Sequence, residues 1–137
     1  PGFDINEGTT KEAQLWIINT QIKEELEYLA RKDVNPLITD RAVIDNYVYY
    51  LHWFKKDNPT LDQYVNWWTT TYDLLIKMPI LKNTSLNVDP IRAKSEEFKL
   101  SVDRLLEREL EERGIAFDKY TTTERAMEKI ILLMNKD

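Results

Sequence analysis

Residues 73–80, with the sequence DLLIKMPI, form the most strand-like stretch of the chain. The run is nearly continuous in apolar residues, which is typical of a parallel strand buried on both faces. A shorter apolar run at 37–40, LITD, predicts a second buried strand, and residues 116–120 predict a weaker third one. We therefore expect a sheet whose strands are far apart in the sequence.

Helical patterns separate these predicted strands. Apolar residues at spacings of three and four predict a first helix over 10–31, through Leu15, Ile18, Ile22, Leu26 and Leu29. Further helices are predicted at 42–56, from 60 to about 70 and from 95 to Gly114, with a last one whose inward face is Met127, Ile130, Ile131 and Met134. The predicted N-caps are Thr9, Thr60, Ser95 and Thr121. Alternating strands and helices predict one α/β domain over 1–137, with a mostly parallel sheet covered by helices.

Composition excludes several classes of function. Nineteen basic against twenty-four acidic residues give a net charge of −5, which argues against bulk nucleic-acid binding and against an anionic membrane surface as partner. The chain has no Cys and one His, so disulfides and Cys- or His-rich zinc sites are excluded. No secretory signal opens the sequence, and we expect a cytoplasmic protein.

Asp40 and Arg41 follow the predicted strand at 37–40 and are the first candidate site. In open parallel sheets, ligands bind beyond the carboxyl ends of the strands. An Asp at that edge can hold Mg²⁺, and an Arg beside it can grip a phosphate or a sugar. A surface ion pair, or an Asp that caps the next helix, explains the two residues equally well.

The polar loop predicted at 81–94 is the second candidate, with Arg92 and then Lys94 as the cations that could stabilise a transferring phosphoryl group. A solvated loop without a function is the alternative. Aromatic residues between Tyr47 and Trp68 could stack a base or form a homodimer contact, but at helical spacing they are more typical of a core.

The order of these segments resembles a known family. A helix, PLITDRAVID at 36–45, an aromatic helix, DLLIKMP at 73–79, the basic DPIR at 89–92 and a long acidic helix together resemble the P-loop kinases and AAA-type ATPases. Within these families, the order resembles that of nicotinamide riboside kinase-like and thymidylate kinase-like proteins. The resemblance implies a P-loop NTPase-like three-layer sandwich that binds ATP and Mg²⁺ and phosphorylates a nucleoside, a nucleotide or a similar small molecule.

The resemblance also implies roles for single residues. Asp40 would serve the metal and catalysis, and Arg41, Thr9 and Gln14 would contact the acceptor. A lid-like segment at 81–95 would carry Arg92 into catalysis, and Arg92 and Lys94 would bind phosphate. The segment from Tyr120 into the last helix would accommodate adenine.

The sequence departs from this family in one respect. Its three glycines, Gly2, Gly8 and Gly114, do not form the Gly-x-x-x-x-Gly-Lys-Ser/Thr phosphate loop. We expect roughly forty upstream residues to carry that loop on a strand between 37–40 and 73–80, because two open parallel edges are unfavourable. A non-catalytic nucleotide-binding module and a helical protein-interaction module are the alternatives.

Overall fold

The computed structural model of the protein describes residues 8–80 and 90–136, and for residues 90–93 it describes the backbone alone. The elements of this described part are α1 (Lys11–Leu29), α2 (Val43–Phe54), α3 (Pro59–Thr70), β1 (Ile76–Lys77), α4 (Pro90–Glu112), β2 (Asp118–Lys119) and α5 (Thr123–Met134). The chain divides into two compact units, an N-terminal unit that ends at Thr71 and a C-terminal unit that begins at Tyr72. The single domain predicted for 1–137 stays a prediction.

Helix α2 is the centre of the N-terminal unit, because it packs against both α1 and α3. Val43, Tyr47 and Val48 on α2 are completely buried. The Tyr47 hydroxyl donates to Asp62 on α3 at 2.8 Å, so this buried aromatic side chain keeps a polar partner. The aromatic run predicted to be core material is therefore core at Tyr47 and Tyr50, whereas Trp67 on α3 is 56% exposed.

The buried face of α1 differs from the predicted stripe. Ile18 and Ile22 are buried as expected, but Leu26 and Leu29 are 51% and 60% exposed. Gln14 and Glu25 take core positions instead, and Trp68 Nε1 donates to Glu25 at 3.4 Å. The prediction for the last turn of α1 was wrong because it considered only apolar spacing, and polar side chains can be buried when they have hydrogen-bond partners.

The helices begin at other residues than those predicted. The observed N-caps of α1, α3 and α5 are Thr10, Asn58 and Thr122, in place of Thr9, Thr60 and Thr121. Each observed cap has extended backbone geometry and accepts from the amide three residues on. Ser95 was also predicted wrongly, because α4 begins five residues earlier at Pro90, and proline suits the first position of a helix. Residues 90–94 are thus helical, while 81–89 of the predicted loop lie outside the described residues.

Residues 37–40 do not form the predicted strand. The backbone groups of a strand need hydrogen-bond partners on a neighbouring strand. Pro36 has no N–H to donate, and the Thr39 hydroxyl donates locally to the Arg41 carbonyl oxygen at 2.8 Å. Ile38 is 65% exposed, so the segment is not buried on both faces as a central parallel strand would be. The expected position of Asp40 at the rim of a sheet is therefore wrong for the described part of the chain.

The C-terminal unit contains the parallel pairing that the sequence predicts. Ile76 pairs with Asp118 and Lys77 with Lys119, and α4 connects the two strands. The Asp118 amide donates to the Leu75 carbonyl and the Tyr120 amide to the Lys77 carbonyl, each at 2.9 Å. The strands predicted at 73–80 and 116–120 are confirmed in type and direction, although each is shorter than predicted. The finer three-layer sandwich stays a prediction.

Helix α5 exposes much of the face that was predicted to be buried. Met127, Ile131 and Met134 are 45%, 51% and 48% exposed, which makes that inward orientation wrong.

In the described ranges, none of the helices combines the length and the apolar character that crossing a bilayer requires.

Candidate functional site

Asp40 and Arg41 lie in a turn that leads into α2. Both side chains are exposed, and the Arg41 guanidinium lies 6.0 Å from the centre of the Tyr49 ring. The Ala42 amide donates to the Asp45 carboxylate at 2.8 Å, so Asp45 closes the first turn of α2. The structure thus places Asp40 and Arg41 side by side at the surface, immediately before a helix.

Two side chains, one of them on α1, fix the Arg41 backbone. Its carbonyl oxygen accepts from Gln21 Nε2 on α1 and from the Thr39 hydroxyl. Gln21 in turn accepts from Asn46 Nδ2 on α2. A turn with these bonds is tied to α1 as well as to its own helix.

Thr9 and Gln14 meet at the other end of α1. Gln14 Nε2 donates to the Thr9 hydroxyl at 2.9 Å, and the Gln14 side chain is only 2% exposed. This bond also explains why Thr10, not Thr9, caps the helix, since the Thr9 hydroxyl accepts from a side chain. In this conformation Thr9 is the half-exposed member of the pair that could reach an acceptor molecule.

One face of α1 connects the two pairs of predicted site residues. Gln14 and Gln21 are seven residues apart, which is nearly two helical turns and about 10 Å along the axis. Gln14 contacts Thr9, and Gln21 contacts the Arg41 carbonyl. The Thr9 hydroxyl and the Arg41 carbonyl therefore lie along the same side of α1.

The predicted cations of the lid belong to the start of α4. Lys94 is exposed in the second turn of this helix, and the side chain of Arg92 lies outside the described residues. Both residues belong to the C-terminal unit, whereas Asp40 and Arg41 belong to the N-terminal one. Their predicted binding of phosphate stays a prediction.

Asp40 fits one part of what a magnesium ion requires. Mg²⁺ prefers oxygen ligands and commonly keeps several waters, with one or two carboxylates and the phosphates of the substrate completing its shell. An exposed carboxylate can supply one such oxygen. Within residues 8–80 and 90–136, no group of three or more His, Cys, Asp or Glu side chains could hold a metal ion alone. Asp40 is thus suited to a shared site that also uses phosphate, not to a closed protein site.

A network of acids and bases that sequence reasoning missed holds α4 to the strands. Lys77 Nζ lies 2.8 Å from Asp103 and 3.6 Å from Glu107, and Lys119 Nζ lies 3.0 Å from Glu107. The hydrogen bond from Lys119, with a further contribution from Lys77, holds the pKa of Glu107 below its ordinary value. The four-residue spacing of Asp103 and Glu107 was a visible signal for one acidic helix face, but nothing in the sequence identified Lys77 as its partner.

A second unpredicted cluster joins α1 and α2 to the segment between α2 and α3. Asp57 accepts from Lys11 on α1 and, at 2.6 Å, from the Tyr50 hydroxyl on α2. Burial and the neighbouring Asp57 raise the pKa of Tyr50 to about 12, so this hydroxyl stays protonated at neutral pH. Lys11 also lies over the Phe54 ring, 5.7 Å from its centre. The cluster fixes the entry of α1, close to Thr9.

The carboxyl end of β2 opens on a small hollow. Its lining includes Tyr120, Thr121, Thr122 and Arg125, and Lys129 on the same side pairs with Asp118 at 3.0 Å. The Tyr120 hydroxyl is hydrogen bonded to the Thr123 hydroxyl at 2.7 Å. An aromatic ring, hydroxyls and cations thus surround the end of a parallel strand, where open sheets bind ligands.

Comparison with known families identifies the chain. The profile of a family described as an AAA domain, which is a P-loop NTPase type, matches residues 3–125. No curated protein and no solved structure matches the chain. Because the family match covers most of the 137 residues, the chain belongs to this AAA-domain family of P-loop NTPases.

Proposed function

We propose that the chain is part of an ATP-dependent kinase-like domain, which transfers the γ-phosphoryl group of ATP to a nucleoside, a nucleotide or a similar small molecule. The family match over residues 3–125 carries the nucleotide-binding part of this proposal. The tethered Asp40–Arg41 turn, on the same side of α1 as Thr9 and Gln14, supports the phosphoryl-transfer part.

Phosphoryl transfer depends mainly on positioning and on charge neutralisation. A bound Mg²⁺ would neutralise charge on the phosphates. Asp40 would supply one oxygen to its shell, and Arg41 would orient the acceptor beside it. Arg92 and Lys94 would bind the phosphates, and Arg92 would stabilise the charge that spreads over the transferring group.

Nucleotide binding also needs a cradle of backbone amides and a lysine for the phosphates. Gly2, Gly8 and Gly114 do not provide this motif. The proposal therefore requires that the phosphate loop come from sequence outside residues 1–137. The segment from Tyr120 into α5 would then accommodate the base of the nucleotide.

The test replaces Asp40 in the natural full-length protein and measures ATP turnover with a panel of nucleoside and nucleotide acceptors. We expect Asp40→Asn to lower turnover at least about 100-fold, as loss of an electrostatic contact in the transition state does. Asp33→Asn is the matched control, because Asp33 is an exposed acid in the same connection between α1 and α2 and pairs with Arg31 at 2.7 Å. Equal turnover in the two variants would remove Asp40 from the mechanism.

A helical protein-interaction module is the second candidate, and the outer face of α3 favours it. Tyr64 and Trp67 are 40% and 56% exposed, with ring centres 6.1 Å apart. Exposed aromatic residues are frequent in protein interfaces. A full-length protein that binds no ATP, and that loses a protein partner when Trp67 is replaced by Ala, would favour this candidate over the kinase.

A further inference from the structure

A chain of side-chain amides connects α2, through α1, to the turn that holds Asp40 and Arg41. Asn46 Nδ2 on α2 donates to Gln21 Oε1 on α1, and Gln21 Nε2 donates to the Arg41 carbonyl oxygen. The Thr39 hydroxyl donates to that same carbonyl at 2.8 Å. We call Asn46 and Gln21 the amide relay.

The relay has a direction. A primary amide has a nitrogen with two N–H donors and an oxygen that accepts. The Gln21 nitrogen can therefore bond only to an acceptor, and the Gln21 oxygen only to a donor. The Arg41 carbonyl oxygen can only accept, and Gln21 Oε1 accepts from Asn46, which is only 6% exposed. Gln21 must then present its N–H groups to the Arg41 carbonyl.

Arg41 is thereby held at two points by α2. Its backbone is tied to Asn46 through Gln21, and its guanidinium lies over the ring of Tyr49, three residues after Asn46 on the same helix. A carbonyl that accepts two hydrogen bonds cannot reorient without breaking both of them. The peptide that follows Arg41 is therefore restrained although both Asp40 and Arg41 are exposed.

We propose that Gln21 and Asn46 are positioning residues for Asp40 and Arg41. They touch no ligand and act by holding the turn in one conformation, so that the carboxylate and the guanidinium are presented together. The proposal rests on the function proposed above for these two residues. Catalytic groups lose much of their effect when they are misplaced by about 1 Å, which gives a remote amide a strong influence on turnover.

The experiment compares Gln21→Met with Asn19→Ala in the full-length protein. Methionine keeps the length of Gln21 and removes both amide functions. Asn19 is an exposed amide on the same helix whose Nδ2 donates to the Leu15 carbonyl at 2.8 Å, so its loss leaves the relay intact. Asn46→Asp is a second variant, which keeps the shape of Asn46 and removes its donor; it replaces Gln21→Met if that protein fails to fold.

The first readout is backbone ¹⁵N relaxation of residues 39–42, which does not depend on turnover. We expect order parameters of about 0.85 in the wild type and after Asn19→Ala, and below about 0.6 after Gln21→Met. The second readout is kinetic: kcat should fall about tenfold while the KM for ATP changes less than about twofold, because Asp40 would be only one ligand of a Mg²⁺ that the ATP phosphates also hold.

The outcomes separate the relay from the proposed function. The relay would be overturned if Gln21→Met left the order parameters of residues 39–42 unchanged. It would also be overturned if Gln21→Met loosened the turn but left kcat normal, while Asp40→Asn abolished turnover. A wild type without ATP turnover would contradict the proposed function, and the relaxation data would then decide alone whether the relay holds the turn.

Discussion

The N-terminal and C-terminal units are stabilised in different ways. Of the thirteen buried hydrophobic residues in the described part of the chain, eleven lie between Ala13 and Trp68, and two, Val102 and Leu110, lie in the C-terminal unit. The C-terminal unit relies more on charge, with Lys77 and Lys119 bound to acids of α4 and the buried pair Arg113–Glu109 at 3.1 Å. We infer that mutations of core residues lower the stability of the N-terminal unit most. Added salt and the loss of charged side chains should lower the stability of the C-terminal unit most.

All four tryptophans, Trp16, Trp53, Trp67 and Trp68, belong to the N-terminal unit, which gives that unit its own fluorescence signal. Circular dichroism reports the helices of both units. Comparing the two signals in one unfolding experiment therefore measures whether the units unfold together or separately.

The largest expected effect is that of Tyr47→Ala. Tyr47 is completely buried between α1 and α3, and its removal should lower the free energy of unfolding by about 3 to 5 kcal/mol through lost burial and a cavity. Tyr47→Phe keeps the ring and loses the bond to Asp62, for an expected cost of about 1 kcal/mol. Urea unfolding followed by tryptophan fluorescence measures both, with Leu132→Ala, 65% exposed on α5, as the control that should change little. A small loss in Tyr47→Ala would contradict a core centred on α2.

Lys77→Met should have the next largest effect, of about 2 kcal/mol. The Lys77 side chain is only 11% exposed, and its loss removes the cation 2.8 Å from Asp103 and one of the two cations that pair with Glu107. The lower free energy of unfolding should appear in the circular dichroism signal. The difference from the wild type should be smaller in high salt, because salt already screens part of the network. Lys23→Met, which breaks the exposed pair with Glu27, is the matched control. A shift of equal size in the fluorescence signal would show that the two units unfold as one.

The start of α1 provides a smaller and more local test. Thr10→Ala should cost about 1 kcal/mol, because it removes the acceptor for the Ala13 amide. Thr9→Ala should cost less, since its hydroxyl bonds to the side chain of Gln14 and not to the helix backbone. The reverse order in thermal unfolding would restore Thr9 as the cap that sequence alone predicted.

The smallest expected effect concerns pH. Burial, and to a lesser extent the nearby Lys55, lower the pKa of His52 below 6.5, so protonation favours the unfolded chain. Stability should be fully present above about pH 6.5 and decline as pH falls through the folded pKa. Because His52 is the only histidine, His52→Gln should flatten the decline between pH 7.5 and 5.5 in urea unfolding. An unchanged slope would assign the decline to other groups.

The helices could be predicted from sequence, because apolar spacing alone indicates a helix, whereas their ends could not. The cap of α3 is Asn58 because Pro59 takes the first helical position, a choice that depends on two residues outside the predicted motif. The strand at Ile76 was found through its apolar run and the one at Asp118 only as a weak strand, and their parallel pairing agrees with the helix between them. The similar run at 37–40 has no strand neighbour in the described chain, and its apolar pattern alone does not distinguish it from a strand.

The candidate site was predictable only in part. Asp40, Arg41, Thr9 and Gln14 attract attention by their chemistry and their resemblance to a family. Gln21 and Asn46 do not, because they look like ordinary polar residues on helix surfaces until the fold brings them to the Arg41 carbonyl. Contacts over twenty residues or more are set by tertiary packing, which single-residue chemistry does not show.

Binding of ATP and Mg²⁺ to the natural full-length protein tests the central claim most directly. Isothermal titration should give saturable binding of one ATP per chain in the presence of Mg²⁺, and binding should weaken strongly when EDTA removes the metal. In a thermal scan, saturating ATP–Mg²⁺ at about 100 times its Kd should add about 2.7 kcal/mol to stability. Absence of any binding at millimolar ATP, with or without Mg²⁺, would contradict the assignment of this chain to a nucleotide-binding domain.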